Sequence, residues 1–183
     1  MLRSVLPTWP GGLAITVALA ACGVHSWAAA QSCANNVVPD TPTSRFTIHA
    51  DGTVSDQQTG LMWRRCVEGR TGDACQTGTG ATVTRNWLEA LRSAPASSFA
   101  GYADWRVPNV KELHSIVENR CAGPAVNTTV FPGFPSSFVW TSTPHAAFSD
   151  RAWYVGFQYG SDNQSSTQGG LPKSTLAYVL LVR

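Results

Sequence analysis

Apolar and polar positions alternate from the first half of the chain onward. Phe46-Thr47-Ile48 and Thr53-Val54-Ser55 read as two short strands, with Asp51-Gly52 supplying a hairpin turn between them. Gln58-Thr59-Gly60 is a second turn, and Leu61-Met62-Trp63 a third apolar strand. The period then lengthens. Thr84 is the expected cap of a helix that carries Trp87, Leu88, Leu91 and Ala94 on one face and stops at Pro95. Pro108-Asn109 opens a second helix with Glu112 three residues on, a capping-box spacing, and with Val110, Leu113, Ile116 and Val117 as its buried stripe. The last third returns to strands. Phe138 to Thr143 is one run, and the next, Ala152 to Phe157, places Trp153, Val155 and Phe157 on one face. Residues 177–182 are apolar almost without a break, which predicts a central sheet position. Hairpins, then two helices, then antiparallel strands make an α+β domain. Trp63, Trp105, Trp140 and Trp153 are expected in its core.

The beginning of the chain reads differently. Arg3, the apolar stretch from Leu13 to Val24 and Ala28-Ala29-Ala30 form a secretory signal over residues 1–30, with cleavage before Gln31. A rival reading takes Leu19-Ala20-Ala21-Cys22 as a lipobox, and only lipidation of Cys22 would tie the protein to a membrane. Residues 31–45, with Pro39 and Pro42, are expected as a linker, and the domain proper spans 46–183.

Composition narrows the function classes. Of 183 residues, 13% are charged and the formal net charge is +2. The Lys and Arg residues form no basic stripe, so nucleic acid is not an expected partner. Beyond the signal, four cysteines remain: Cys33, Cys66, Cys75 and Cys121. An even number in an exported chain predicts two disulfides. Cys66 and Cys75 flank a loop with Gly69, Gly72 and Asp73 and close easily on one another, which leaves Cys33 for Cys121. No Cys-x-x-Cys or paired histidine suggests zinc, and no cofactor is expected.

Several segments fall in a known order. Asp51-Gly52-Thr53-Val54 is followed by Thr59-Gly60-Leu61-Met62-Trp63. Gly101-Tyr102, Asp104-Trp105-Arg106-Val107-Pro108 and Glu112-Leu113 come next. Phe131-Pro132, Trp140-Thr141-Ser142-Thr143, Ala152 to Phe157 and Leu181-Val182-Arg183 complete the series. In this the chain resembles the Lcl C-terminal domain family, named for the C-terminal domain of the Legionella collagen-like protein. The resemblance implies a C-type-lectin-like fold, two helices packed on small antiparallel sheets with long loops, related to the domain of formylglycine-generating enzymes. It also implies export, and surface or adhesion roles. It carries over no catalytic set.

An enzyme of the formylglycine-generating type would need a late redox-active cysteine arrangement, and no cysteine follows Cys121. Calcium-dependent sugar binding would need Glu-Pro-Asn and Trp-Asn-Asp, and neither occurs; Asp162-Asn163 supplies too few oxygens for calcium. Trp105, with Asp104 and Arg106, is expected to be structural rather than a ligand site. His49, His114 and His145 are expected as isolated surface or turn histidines. The remaining candidate recognition surface is the polar loops 144–151 and 159–173, with Arg151, Tyr159, Asp162, Asn163 and Lys173. The expected protein is a non-catalytic exported module, periplasmic, outer-membrane-associated or extracellular, that binds a glycan or another envelope component. An enzyme related to the formylglycine-generating type and a structural part of an envelope assembly are the alternatives.

Overall fold

The computed structural model describes residues 30–78, 83–159 and 170–183. Residues 1–29 of the signal segment, with Cys22, and Asp162 and Asn163 lie outside them.

The expected hairpins form one three-stranded antiparallel sheet of β2 (Phe46–Ile48), β3 (Thr53–Asp56) and β4 (Met62–Arg64). Gly52 takes a positive φ of 82° at the first turn, where only glycine is unstrained. A second three-stranded sheet holds β8 (Phe138–Pro144), β9 (Arg151–Gly156) and β10 (Leu171–Pro172), in the order β10-β9-β8. Two two-stranded ribbons complete the set: β1 (Ser32–Cys33) with β7 (Cys121–Ala122), and β5 (Arg70–Thr71) with β6 (Thr77–Gly78). The helices are α1 (Trp87–Ser93) and α2 (Val110–His114). The architecture is α+β, two helices on small antiparallel sheets.

Both helices start with a full capping box, Asn86 with Glu89 and Asn109 with Glu112. Asn86 thus replaces Thr84 as the cap of α1. The reason is tertiary. Arg85 exchanges both backbone hydrogen bonds with Ala177, which keeps residue 85 extended and delays the helix by two residues. The buried stripe of α1 is correspondingly Ala90 and Ala94 with Trp87 and Leu91 at its edges, while Leu88 is half exposed. In α2 the stripe continues past the helix end: Ile116 and Val117 are buried on i→i+3 turns.

The apolar segment 177–182 is central, as its pattern predicts, but it forms no regular ladder. Val182 bridges both Trp63 and Arg106, Tyr178 bridges Val139, and Ala177 bridges Arg85. Its alternation divides the interior. Leu180 and Val182 enter one cluster with Trp63, Leu113, Ile116, Phe131, Val155 and Phe157. Ala177, Val179 and Leu181 enter another with Ala90, Trp105 and Trp140. A strand with a core on each side needs apolar residues at every position, which is why period 2 is invisible in its sequence.

Residues 31–45 are not a tether. Cys33 is disulfide-bonded to Cys121, and the Gln31 amide donates to the carbonyls of Pro124 and Val126. The buried Glu118 carboxylate accepts from the Asp40 and Thr41 N–H groups and from the Thr41 hydroxyl. Arg45 pairs with the fully buried side chain of Asp56. The polar composition that suggested a linker is the composition of a strap that fastens by hydrogen bonds. The second bridge, Cys66–Cys75, also forms, so both pairings match the expectation.

Candidate functional site

The late loops meet at one end of the β8–β9 sheet. Lys173, just past β10, accepts the Trp87 N–H through its carbonyl (3.0 Å) and donates its own N–H to Asp150 (2.8 Å). Trp87 in turn donates its indole N–H to the Thr141 carbonyl at 2.8 Å. One rim therefore gathers the start of α1, the end of β8, the turn 145–150, the start of β9 and the end of β10.

On this rim the aromatic rings are ordered. The His145 imidazole lies between Phe148 (centroids 5.0 Å apart) and Trp153 (4.7 Å), tilted 37° and 31° to them. The Arg151 guanidinium stands 5.4 Å from the Phe148 centroid, and Lys173 Nζ lies 4.5 Å from the Trp87 centroid, both within cation–π range. Lys173 Nζ also donates to the Ser149 carbonyl at 2.7 Å, and Arg151 to the Gly170 carbonyl at 3.4 Å. His145 Nδ1 accepts the N–H groups of Ala147 and Phe148, each at 3.1 Å, which ties the ring to its own turn. Gly170 closes the rim at φ +61°. A Cβ there would lie 2.8 Å from the Ala152 carbonyl oxygen and 3.2 Å from His145 Cδ2, so no side chain fits.

Of the residues expected to form a recognition surface, Arg151 and Lys173 come together here. Tyr159 does not join them. Arg151 begins β9 beside Pro172, whereas Gly156, at the other end of β9, pairs with Phe138. Five strand steps, about 16 Å at ~3.3 Å each, separate the two ends. Tyr159 follows beyond the far end and is half exposed.

Sequence reasoning missed Trp87, His145, Phe148 and Trp153 as members of one platform. Trp153 was expected in the core with Val155 and Phe157. It shares their face by alternation, but as the strand's third residue it reaches only the rim and stays partly exposed. Trp63, Trp105 and Trp140, the other tryptophans expected in the core, are 0–2% exposed. The signal for the platform was present as two aromatics, Phe148 and Trp153, three and eight residues after His145, but their closeness depends on the register of the β8–β9 pairing.

The Asp104-Trp105-Arg106 segment is structural. Trp105 is buried and donates its indole N–H to the Phe99 carbonyl at 2.9 Å. Asp104 pairs with Arg183 (2.7 Å), and that hydrogen bond draws its carboxyl below the usual range. Arg106 forms a bidentate pair with Glu112, both bonds at 2.7 Å. The hydrogen bond from Arg106, against the opposing effect of burial, lowers the Glu112 carboxyl likewise. His114 is exposed on α2, and His49 bonds Ser55 at 2.8 Å in the first hairpin, so the three described histidines His49, His114 and His145 stand on different elements. Among the described residues no group of three or more His, Cys, Asp or Glu side chains is placed to hold a metal ion.

No curated protein matches the chain. Residues 52–183 match the family model of the Lcl C-terminal domain, well over half of the sequence and the stretch that carries β3 to β10, both helices and the rim just described. The chain belongs to the Lcl C-terminal domain family.

Proposed function

We propose that the protein is a non-catalytic binding module of the cell envelope or its exterior, and that it holds a glycan or another envelope component on the rim formed by Trp87, His145, Phe148, Arg151, Trp153 and Lys173. The observation that carries this reading is the row of tilted rings Trp153, His145 and Phe148, with Arg151 over Phe148 and Lys173 over the neighbouring Trp87. Sugars present apolar C–H faces beside hydroxyl edges. Partly exposed rings take the first and fixed polar groups the second, and a rim whose rings are already packed loses little entropy on binding. Membership in the family supports the assignment. The two disulfides fit an oxidising compartment, and among the described residues no helix is long and apolar enough to cross a membrane. Against an oxidase stands the pairing of all four cysteines among the described residues.

The test is retention of the purified protein on a glycan array, with and without calcium, beside an Arg151→Ala/Lys173→Ala variant. Wild type is expected to bind, with affinity falling as salt rises, and the variant to bind several-fold less. Equal binding by the variant moves the site off this rim. Turnover of any substrate by the purified wild type refutes the non-catalytic assignment.

A further inference from the structure

We infer that His145 is a latch for the turn 145–148 and that its protonation releases the rim, so that acid switches the proposed binding face off. The consequence for binding rests on the function proposed above; the latch itself does not. The argument starts from two hydrogen bonds. The N–H groups of Ala147 and Phe148 both point at His145 Nδ1, each at 3.1 Å. A backbone N–H can only donate, so Nδ1 holds its lone pair and the hydrogen of the neutral ring is on Nε2. An imidazolium carries hydrogen on both nitrogens and accepts nothing. The protonated ring and the two turn hydrogen bonds therefore cannot coexist.

The turn is short enough for this to matter. His145 N–H donates to the Arg151 carbonyl and Arg151 N–H to the Phe148 carbonyl, both at 3.1 Å, so the segment between β8 and β9 is closed by these two bonds together with the two to the imidazole. Ala147, Phe148, Ser149 and Asp150 are all exposed and outside both cores; apart from the latch and its flanking bonds, Lys173 holds the far half of the turn through the Asp150 and Ser149 carbonyls, and nothing comparable holds Ala147 and Phe148. What the turn positions is the rim itself. Phe148 stacks on His145, Arg151 stands over Phe148, and Lys173 bonds to Ser149.

The charged residues on the segments next to the ring are Asp150 and Arg151, on the turn and the start of β9, and Lys173 past β10. The neighbours Phe148, Trp153 and Gly170 carry no charge. The structural outcome of protonation follows from the loss of the acceptor alone.

Amide NMR of the wild-type protein tests the latch without any ligand. Between about pH 8 and pH 5, the range in which histidine side chains change charge, the Ala147 and Phe148 amide signals are expected to move together with the His145 ring signals. Their hydrogen exchange, corrected for its intrinsic pH dependence, should rise about tenfold. His145→Asn is the control, since an asparagine Oδ1 occupies the place of Nδ1, accepts the same two bonds and does not titrate. Its two amides are expected to stay fixed over the same range. His145→Phe, which keeps a ring and has no acceptor, is expected to show the acid-form exchange at every pH. The latch is overturned if the wild-type amides stay put while the His145 ring titrates, or if they move equally in His145→Asn. Because no ligand enters, these outcomes are independent of whether the rim binds a glycan.

Discussion

The carboxylate of Glu118 accepts both the backbone N–H of Thr41, at 3.0 Å, and its hydroxyl, at 2.9 Å, with neither residue more than 2% exposed. A third bond comes from the Asp40 N–H to Oε1 at 3.2 Å, and Arg120 Nε lies 3.4 Å from the same oxygen. One side chain thus fastens the strap 31–45 to the turn after α2. Replacing Glu118 by Ala leaves these buried donors without an acceptor and is expected to cost about 2–4 kcal/mol. For a domain of this length that is roughly 5–15 °C in melting temperature. Glu118→Gln keeps one carbonyl acceptor and should lose less. A Glu118→Ala protein that melts like wild type would mean the strap is not fastened as described.

Asp56 controls behaviour in acid. Burial alone would raise its carboxyl, but the hydrogen bonds from Arg45, Thr59 and the Gln58 N–H outweigh burial and hold it below the ordinary carboxylate value. A carboxyl lowered by folding adds stability that is complete above the unfolded value, near pH 4, and is lost as pH falls through the folded one. Denaturant unfolding between about pH 5 and pH 2 should show that loss. Asp56→Ala, which strands the Arg45 guanidinium, is expected to cost about 3–5 kcal/mol at neutral pH and to flatten the acid limb. A variant with an unchanged acid limb would assign the effect to other carboxylates, Glu112 first.

The two disulfides should differ in weight. Cys33 and Cys121 are 88 residues apart, Cys66 and Cys75 only 9. In the chain-entropy picture the long loop contributes about 4–5 kcal/mol and the short one about 2.5–3. Double Cys→Ser variants of each bridge, unfolded in urea, give the comparison. The picture fails if removing Cys66–Cys75 costs more.

Trp105 is expected to behave as core and not as ligand contact. It packs edge-on against Phe99 and Tyr102, with centroids at 6.1 and 6.2 Å. Trp105→Ala should cost about 3–5 kcal/mol, a large share of the stability of an ordinary domain. Circular-dichroism melts decide it: a normal melt with lost ligand binding would make Trp105 part of a site.

The legible parts of the sequence were those whose signal is local. The hairpin at Asp51-Gly52, the capping box at Asn109 and Glu112, and the short Cys66–Cys75 loop are each decided within about ten residues. What misled was long-range. Thr84 is a fair cap by composition, but Ala177, ninety residues on, holds Arg85 extended. The strap 31–45 looks like a linker because its partners, Glu118, Pro124 and Val126, lie far along the chain. The candidate site followed the same rule. Arg151 and Lys173 were found as charges in polar loops, whereas Trp87 joins the platform through Thr141, more than fifty residues on, and the irregular β8–β9 register between Trp140 and Pro144 sets how His145 and Trp153 meet.

The segment 177–183 also sets the order in which the molecule can be completed. Its backbone bonds reach Met62, Arg64, Glu68, Arg85, Arg106, Phe138 and Trp140, and its side chains face both clusters. Every one of those partners is synthesised earlier. Contacts of such sequence separation have a high loop-closure cost, and high contact order slows folding. A chain emerging from N- to C-terminus therefore keeps both cores open until its residues 177–183 arrive. The native state is reached by a late closing step rather than by growth from the first hairpin.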